Sequence, residues 1–117
     1  MKINTSLFKN EKLYEKVQVQ GDYDDKNKKL EFTHDDTIVK INFTDEYINY
    51  KRKNNEYDFE IYIDSKDNKS SIKLKEYSKF FEIKVLEANF EVNAHMIIIN
   101  YRIETEEDVL NKIVIEW

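Results

Sequence analysis

Residues 79–104, KFFEIKVLEANFEVNAHMIIINYRIE, alternate apolar and polar side chains over two long runs joined by a short polar break. A period of two is the spacing at which a β-strand sends successive side chains to opposite faces; a helix cannot collect such a pattern on one side. Most of the chain follows the same rule. Val17 and Val19 share a face, as do Leu30 and Phe32, while Val39, Ile41 and Phe43 alternate with Lys40 and Asn42. Ile48, Tyr50 and Arg52 fall opposite Asn49 and Lys51, and EYDFEIYID sets Tyr57, Phe59, Ile61 and Ile63 against Glu56, Asp58 and Glu60. The stretch SSIKLKE predicts a further strand. In the longest run Phe81, Ile83 and Val85 come first, Phe90 and Val92 follow, and His95, Ile97, Ile99, Tyr101 and Ile103 share a face. Met96 and Ile98 on the opposite side are apolar too, which predicts a central strand covered on both faces at its start.

So many strands require many reversals, yet the chain has one Gly and no Pro. Asn and Asp must therefore make the turns, because both tolerate the left-handed region and bond their own backbone. The predicted turns are at residues 24–27, 35–36, 53–55 and 64–68, with a corner beginning at Gly21. Residues 105–117 fit either of two patterns. Thr105 to Asp108 can open a helix with Val109, Leu110, Ile113 and Val114 on one face, but three consecutive β-branched residues from Ile113 to Ile115 tilt the segment toward a strand. The total is about eight to ten short strands in one domain spanning residues 1–117, the signature of a β-barrel or sandwich.

Composition removes whole classes of chemistry. The chain has no Cys, which excludes disulfides, thiolate metal sites and cysteine nucleophiles. A single Gly cannot build a phosphate-binding loop, and the acidic stretch from Asp22 to Asn27 lacks the ligand and glycine positions of a calcium loop. The net charge is −5, and acids flank both lysine-rich stretches, so no nucleic-acid partner is expected. No apolar run approaches the length of a membrane helix or a signal-peptide core, which predicts a soluble, cytoplasmic protein with no membrane partner.

The order and spacing of four stretches carry a resemblance across essentially the whole chain. They are GDYDDKNKKLEF, with a Gly-x-Tyr corner before a strand; TIVKINFTDEYINYKR, with a Lys-bearing strand followed by one ending in Arg; FFEIKV; and IIINYRIE followed by NKIVIE. In these the chain resembles the YwiB-like family, small bacterial proteins of unknown function with a calycin-like, lipocalin-like barrel. It departs from that pattern at Asn54, Leu74 and Lys79, where the family tends to have Gly, Tyr and Gly. The resemblance implies a closed antiparallel up-and-down β-barrel whose C-terminal segment is a closing strand. It implies no activity.

Polar residues on the inward face are the candidate site. Arg52 is in phase with Ile48 and Tyr50 near a strand end, where a guanidinium could orient a carboxylate or phosphate. His95 opens an inward series that includes Tyr101, so Arg52, His95, Tyr50 and Tyr101 are the expected ligand-binding residues at a barrel mouth. Arg52 paired to a carboxylate and His95 as a capped histidine are the structural alternatives. His34 lies in the polar turn THDDT and reads as a solvent-exposed residue. No catalytic constellation, metal site or cofactor is expected. The many inward aromatic rings, Phe81, Phe90 and Trp117 among them, predict a largely filled interior. Two functions remain: a non-enzymatic binding module for a small anionic or partly apolar molecule, or an interaction domain without a ligand that pairs with a second copy through the face bearing Met96 and Ile98.

Overall fold

The computed structural model describes residues 1–74 and 79–117. The period-two segments become β1 (Lys2–Lys9), β2 (Lys12–Asp24), β3 (Lys29–His34), β4 (Thr37–Phe43), β5 (Tyr47–Lys53) and β6 (Tyr57–Asp64). They continue as β7 (Asn68–Leu74), β8 (Lys79–Ile83), β9 (Val85–Asn93), β10 (Met96–Ile103) and β11 (Asn111–Glu116), with one short 3-10 turn, Glu104–Glu106, before β11. Residues 75 and 76 of the stretch SSIKLKE lie outside the described residues. The C-terminal segment is a strand, as its β-branched run predicts, and it pairs antiparallel with both β1 and β10.

All eleven strands form one antiparallel sheet in the order β8-β7-β6-β5-β4-β3-β2-β1-β11-β10-β9. Its two end strands, β8 and β9, are separated in sequence only by Lys84, so a single kinked run bridges the ends. The sheet thereby curls into a nearly closed up-and-down barrel, with β9 brought against β6 and β7. The run at residues 79–104 thus makes three strands, where two were expected. It breaks at Lys84, whose carbonyl accepts from the Glu104 N–H at 2.9 Å.

A second bend lies across the barrel in β2. Its first part pairs with β1 as far as Gln20, and its last part pairs with β3 from Gly21 onward. Gly21 sits at this changeover with no room for a side chain. A Cβ there would meet the Ile3 Cδ1, the carbonyl oxygen of Glu31 at 2.6 Å and the Phe32 Cβ at 2.9 Å. The corner expected from Gly21 is present, and it is a matter of space, since the glycine φ is not positive.

The core between these bends is built largely of β-branched chains, which suit a pleated, enclosed surface. Ile3, Ile41, Ile48, Ile61, Ile97, Ile99 and Ile115 are fully buried, with Leu30 among them. Phe32, Phe43, Tyr50, Phe59 and Tyr101 are buried as the alternation predicts, and Tyr57, Phe90 and Trp117 pack against them partly covered. Phe81 is the exception at 38% exposed. It lies on β8, an end strand of the sheet that pairs with β7 on one side, so part of its inward face has no neighbouring strand to cover it.

Polar side chains do form the reversals. Asp64 Oδ1 accepts from the Lys66 and Asp67 N–H groups at 2.7 and 2.6 Å, and Asn54 Oδ1 accepts from Glu56 and Tyr57 at 2.9 and 3.0 Å. Positive φ angles occur at Asn10 and Asp35, as the composition requires, but also at Glu11 and Lys28. Lys28 is held in its turn by Asp25, 2.8 Å from its Nζ. Asn10 reaches farther: its amide donates to the Asp108 carbonyl and accepts from the Leu110 N–H, pinning the β10–β11 connection to the β1–β2 hairpin.

Candidate functional site

The two ends of the barrel differ. At one, Trp117 packs against Tyr23 and Phe43 with ring centroids 5.0 and 5.9 Å apart, and His95 meets the indole edge-on at 6.3 Å. The Trp117 backbone N–H donates to the His95 carbonyl at 3.0 Å, so the C-terminal residue and the β9–β10 turn are tied together. The three rings cluster at this end, beside a pocket of about 390 Å³ lined by Tyr23, Lys28, Phe43 and Val92. His95 is exposed on its outer side and lies in the turn between β9 and β10, at the opposite end of the barrel from Arg52. The pairing of His95 with Arg52 at one mouth does not occur: antiparallel strands put the end of β9 and the end of β5 at opposite rims.

The other end is open, and there Arg52, Tyr50 and Tyr101 come together. Strand β5 carries Ile48, Tyr50 and Arg52 inward in turn, so the guanidinium follows a buried tyrosine toward the rim. Its carbon lies 5.7 Å from the Tyr57 ring centroid and 5.4 Å from that of Phe59, both on β6. These are cation–π distances. Among the described residues no carboxylate stands within ion-pair distance of Arg52, and its Nε is buried without a hydrogen-bond partner. Burial opposes the charge, while the oxygens of Tyr50, Tyr57 and Tyr101 favour it and shift the pKa upward on balance. An arginine keeps its proton under any such condition. The site therefore holds a permanent cation for which the described residues supply no counter-charge at close range.

One pocket of about 410 Å³ lies where Arg52 and Phe59 meet Lys40, Lys51, Lys53, Asp58 and Glu60, and two more, of about 190 and 350 Å³, share Leu7, Lys9, Arg52 and Tyr57 as walls. The smaller runs toward Ile83 and Ile103, where the kinked β8–β9 run passes the β10–β11 connection. Asn111 lines it as well, only 4% exposed, between its cross-strand neighbours Lys9 and Tyr101. The larger extends to His34, whose Nε2 is 3.4 Å from Asp35 and 3.9 Å from Glu15. His34, expected as an exposed turn residue, is thus a half-buried part of the rim. Lys9 rests its ammonium 4.2 Å from the Tyr14 ring centroid.

Lys9 and Asn111 are not among the residues that the sequence points to, although their phase carries the signal. Lys9 continues the odd-numbered inward series of Ile3 and Leu7, and Asn111 precedes Ile113 and Ile115 in the same way. A polar residue in phase with a buried isoleucine series is either a strand end or a lining group, and both descriptions hold here.

Burial pushes the Tyr101 phenol up to about 12, with the Arg52 charge pulling back and Tyr50 and Glu106 adding to the rise. Burial also raises Tyr50, with Arg52 again opposing. An unfolded tyrosine ionises near pH 10. The folded chain therefore keeps a Tyr101 proton that the unfolded chain loses, so this contribution is intact below pH 10 and disappears as pH rises toward 12. Denaturant unfolding between pH 9 and 11.5 is expected to show stability falling, with about 2 kcal/mol traceable to Tyr101 at the upper limit. In Tyr101→Phe the slope should flatten; an unchanged slope would show that the phenol is not protected.

Among the described residues no group of His, Asp and Glu side chains is arranged to hold a metal ion, and no helix is long and apolar enough to cross a membrane. No model of a known protein family matches the chain, and no curated protein or solved structure matches it.

Proposed function

We propose that the chain is a non-enzymatic binding module that takes a small anion at the open mouth of the barrel, with Arg52 as its anchor. The carrying observation is the inward Arg52 guanidinium, held between two aromatic rings with no carboxylate in ion-pair reach among the described residues. A cation kept in such a place costs stability unless something else uses it. Tyr57, Tyr101 and Asn111 line the pocket beside it as hydroxyl and amide partners for the same ligand, while the Tyr50 hydroxyl already interacts with the guanidinium. We place the chain with the YwiB-like, calycin-like bacterial proteins on the order of the four stretches named above, and in the cytoplasm, in keeping with its charge-rich composition. The test is a panel of small anions followed by amide chemical shifts. Shifts should cluster at Arg52, Tyr57, Tyr101 and Asn111 and shrink sharply at equal anion concentration in Arg52→Met; a panel that leaves those amides unmoved would remove the reading.

A second reading rests on a separate surface. Met96, Ile98 and Val114 point outward from β10 and β11 and are only half-buried, with Ile98 and Val114 direct cross-strand neighbours. That face could pair with a second copy of the chain, with no ligand involved. Sedimentation of wild type and Ile98→Lys decides it: a dimer lost in the variant supports pairing, and a strict monomer in both removes it.

A further inference from the structure

We infer that the anion taken at this mouth is a monocarboxylate on a small, flat apolar body, and not a phosphate. The inference rests on the anion-binding reading and adds the chemical class.

The charge around the mouth sets the limit on the ligand. Arg52 and Lys9 are the fixed cations that line the two pockets, while Glu15, Asp35 and Glu106 line them as anions, the first two beside His34. Lys9 is already engaged with the Tyr14 ring. A single negative charge can be met by Arg52 alone. A phosphate monoester at neutral pH carries more than one charge and would bring the excess toward three exposed carboxylates, whose repulsion is screened but adds in sign.

Shape points the same way. The Arg52 guanidinium is flanked by the Tyr57 and Phe59 rings, at 5.7 and 5.4 Å from its carbon. What remains for a ligand is the edge of the fork, whose parallel N–H groups match the two oxygens of a carboxylate. Leu7, Phe59, Ile83 and Ile103 supply the apolar wall of the smaller pocket, with Lys9, Thr105, Glu106 and Asn111 as its polar part. Its volume of about 190 Å³ admits a single ring or a short branched chain. The apolar part of this wall favours such a body over a hydrated phosphate.

Benzoate, benzamide and inorganic phosphate are the probes, each titrated into the full chain with amide shifts and heat as readouts. Benzoate is expected to bind saturably at the Arg52 end. Benzamide, the same ring without the charge, should bind between roughly ten- and a hundred-fold more weakly, as should benzoate to Arg52→Met. Arg52→Lys keeps the charge but loses the fork, and it should recover only part of the benzoate affinity. Melting curves of both variants confirm that they fold. Phosphate binding that depends on Arg52, with benzoate inert, would overturn the carboxylate class and leave the anion site standing. Benzamide binding as tightly as benzoate would also overturn it. If neither anion moves the Arg52, Tyr101 and Asn111 amides, the carboxylate inference and the binding reading fall together.

Discussion

Gly21→Ala is expected to lower the melting temperature by roughly 5–15 °C, corresponding to about 1–3 kcal/mol of overpacking. In an open strand the same change is mildly favourable, because alanine has less backbone freedom to lose on folding. Here the added methyl has nowhere to go. Of its three nearest neighbours, the Ile3 side chain is 0% exposed and cannot swing into solvent. The Glu31 carbonyl, 2.6 Å from where the methyl carbon would sit, belongs to a backbone fixed on both sides by the ladders to β2 and β4. Relief would require β2 and β3 to part at the point where β2 changes partners, and that bend is one of the two that allow the sheet to curl. A double change with Ile3→Val removes the Cδ1 contact and leaves the carbonyl. It should recover part of the loss, with a coupling outside the additive range. A Gly21→Ala protein that melts with wild type would show that the corner has slack.

Alternation conveys strand faces and says little about strand ends. Faces follow directly from period two, so the inward series Ile48-Tyr50-Arg52 and Ile97-Ile99-Tyr101 are legible in the sequence alone. Which end of the barrel a residue occupies is a different matter. That depends on counting strand reversals through the whole chain, and the kink at Lys84 adds a strand without adding a reversal. His95 shares a face with Tyr101, yet six residues of extended chain carry it to the far rim. Phe81 has the same pattern as the buried phenylalanines, but burial depends on having a neighbour on both sides, which an end strand such as β8 lacks. The lining roles of Lys9 and Asn111 need the β1–β11 pairing, a contact across about a hundred residues that no local pattern encodes.

Arg52→Met is expected to raise stability by about 1–2 kcal/mol while weakening anion binding by roughly ten- to a hundred-fold. Methionine fills a similar volume, keeps a favourable contact with the Tyr57 and Phe59 rings, and brings no charge to desolvate. What it gives up is the pair of cation–π contacts, worth about 0.5–1 kcal/mol each at exposed sites and up to about 2 when desolvated. Against that stand the desolvation of the guanidinium and a buried Nε with no partner, a group whose cost is about 1–3 kcal/mol. Arg102, whose Nε is likewise buried without a partner, supplies the internal comparison for the missing carboxylate. It lies on the outer face, 3.1 Å from Glu87 Oε2 and 3.4 Å from the Glu107 carbonyl, so its charge is paired within the chain. Arg102→Met should therefore be neutral or destabilising by up to about 1 kcal/mol, the usual range for an exposed pair. A stability gain at Arg52 with a loss at Arg102 is the pattern of a residue kept for a ligand. The tyrosines report the same change independently: Arg52 holds the pKa of Tyr50 and Tyr101 down, so its removal should push both phenols higher in an absorbance titration. If Arg52→Met instead unfolds more readily than Arg102→Met, the guanidinium is a structural prop between two rings, and the open mouth loses its reason to attract an anion.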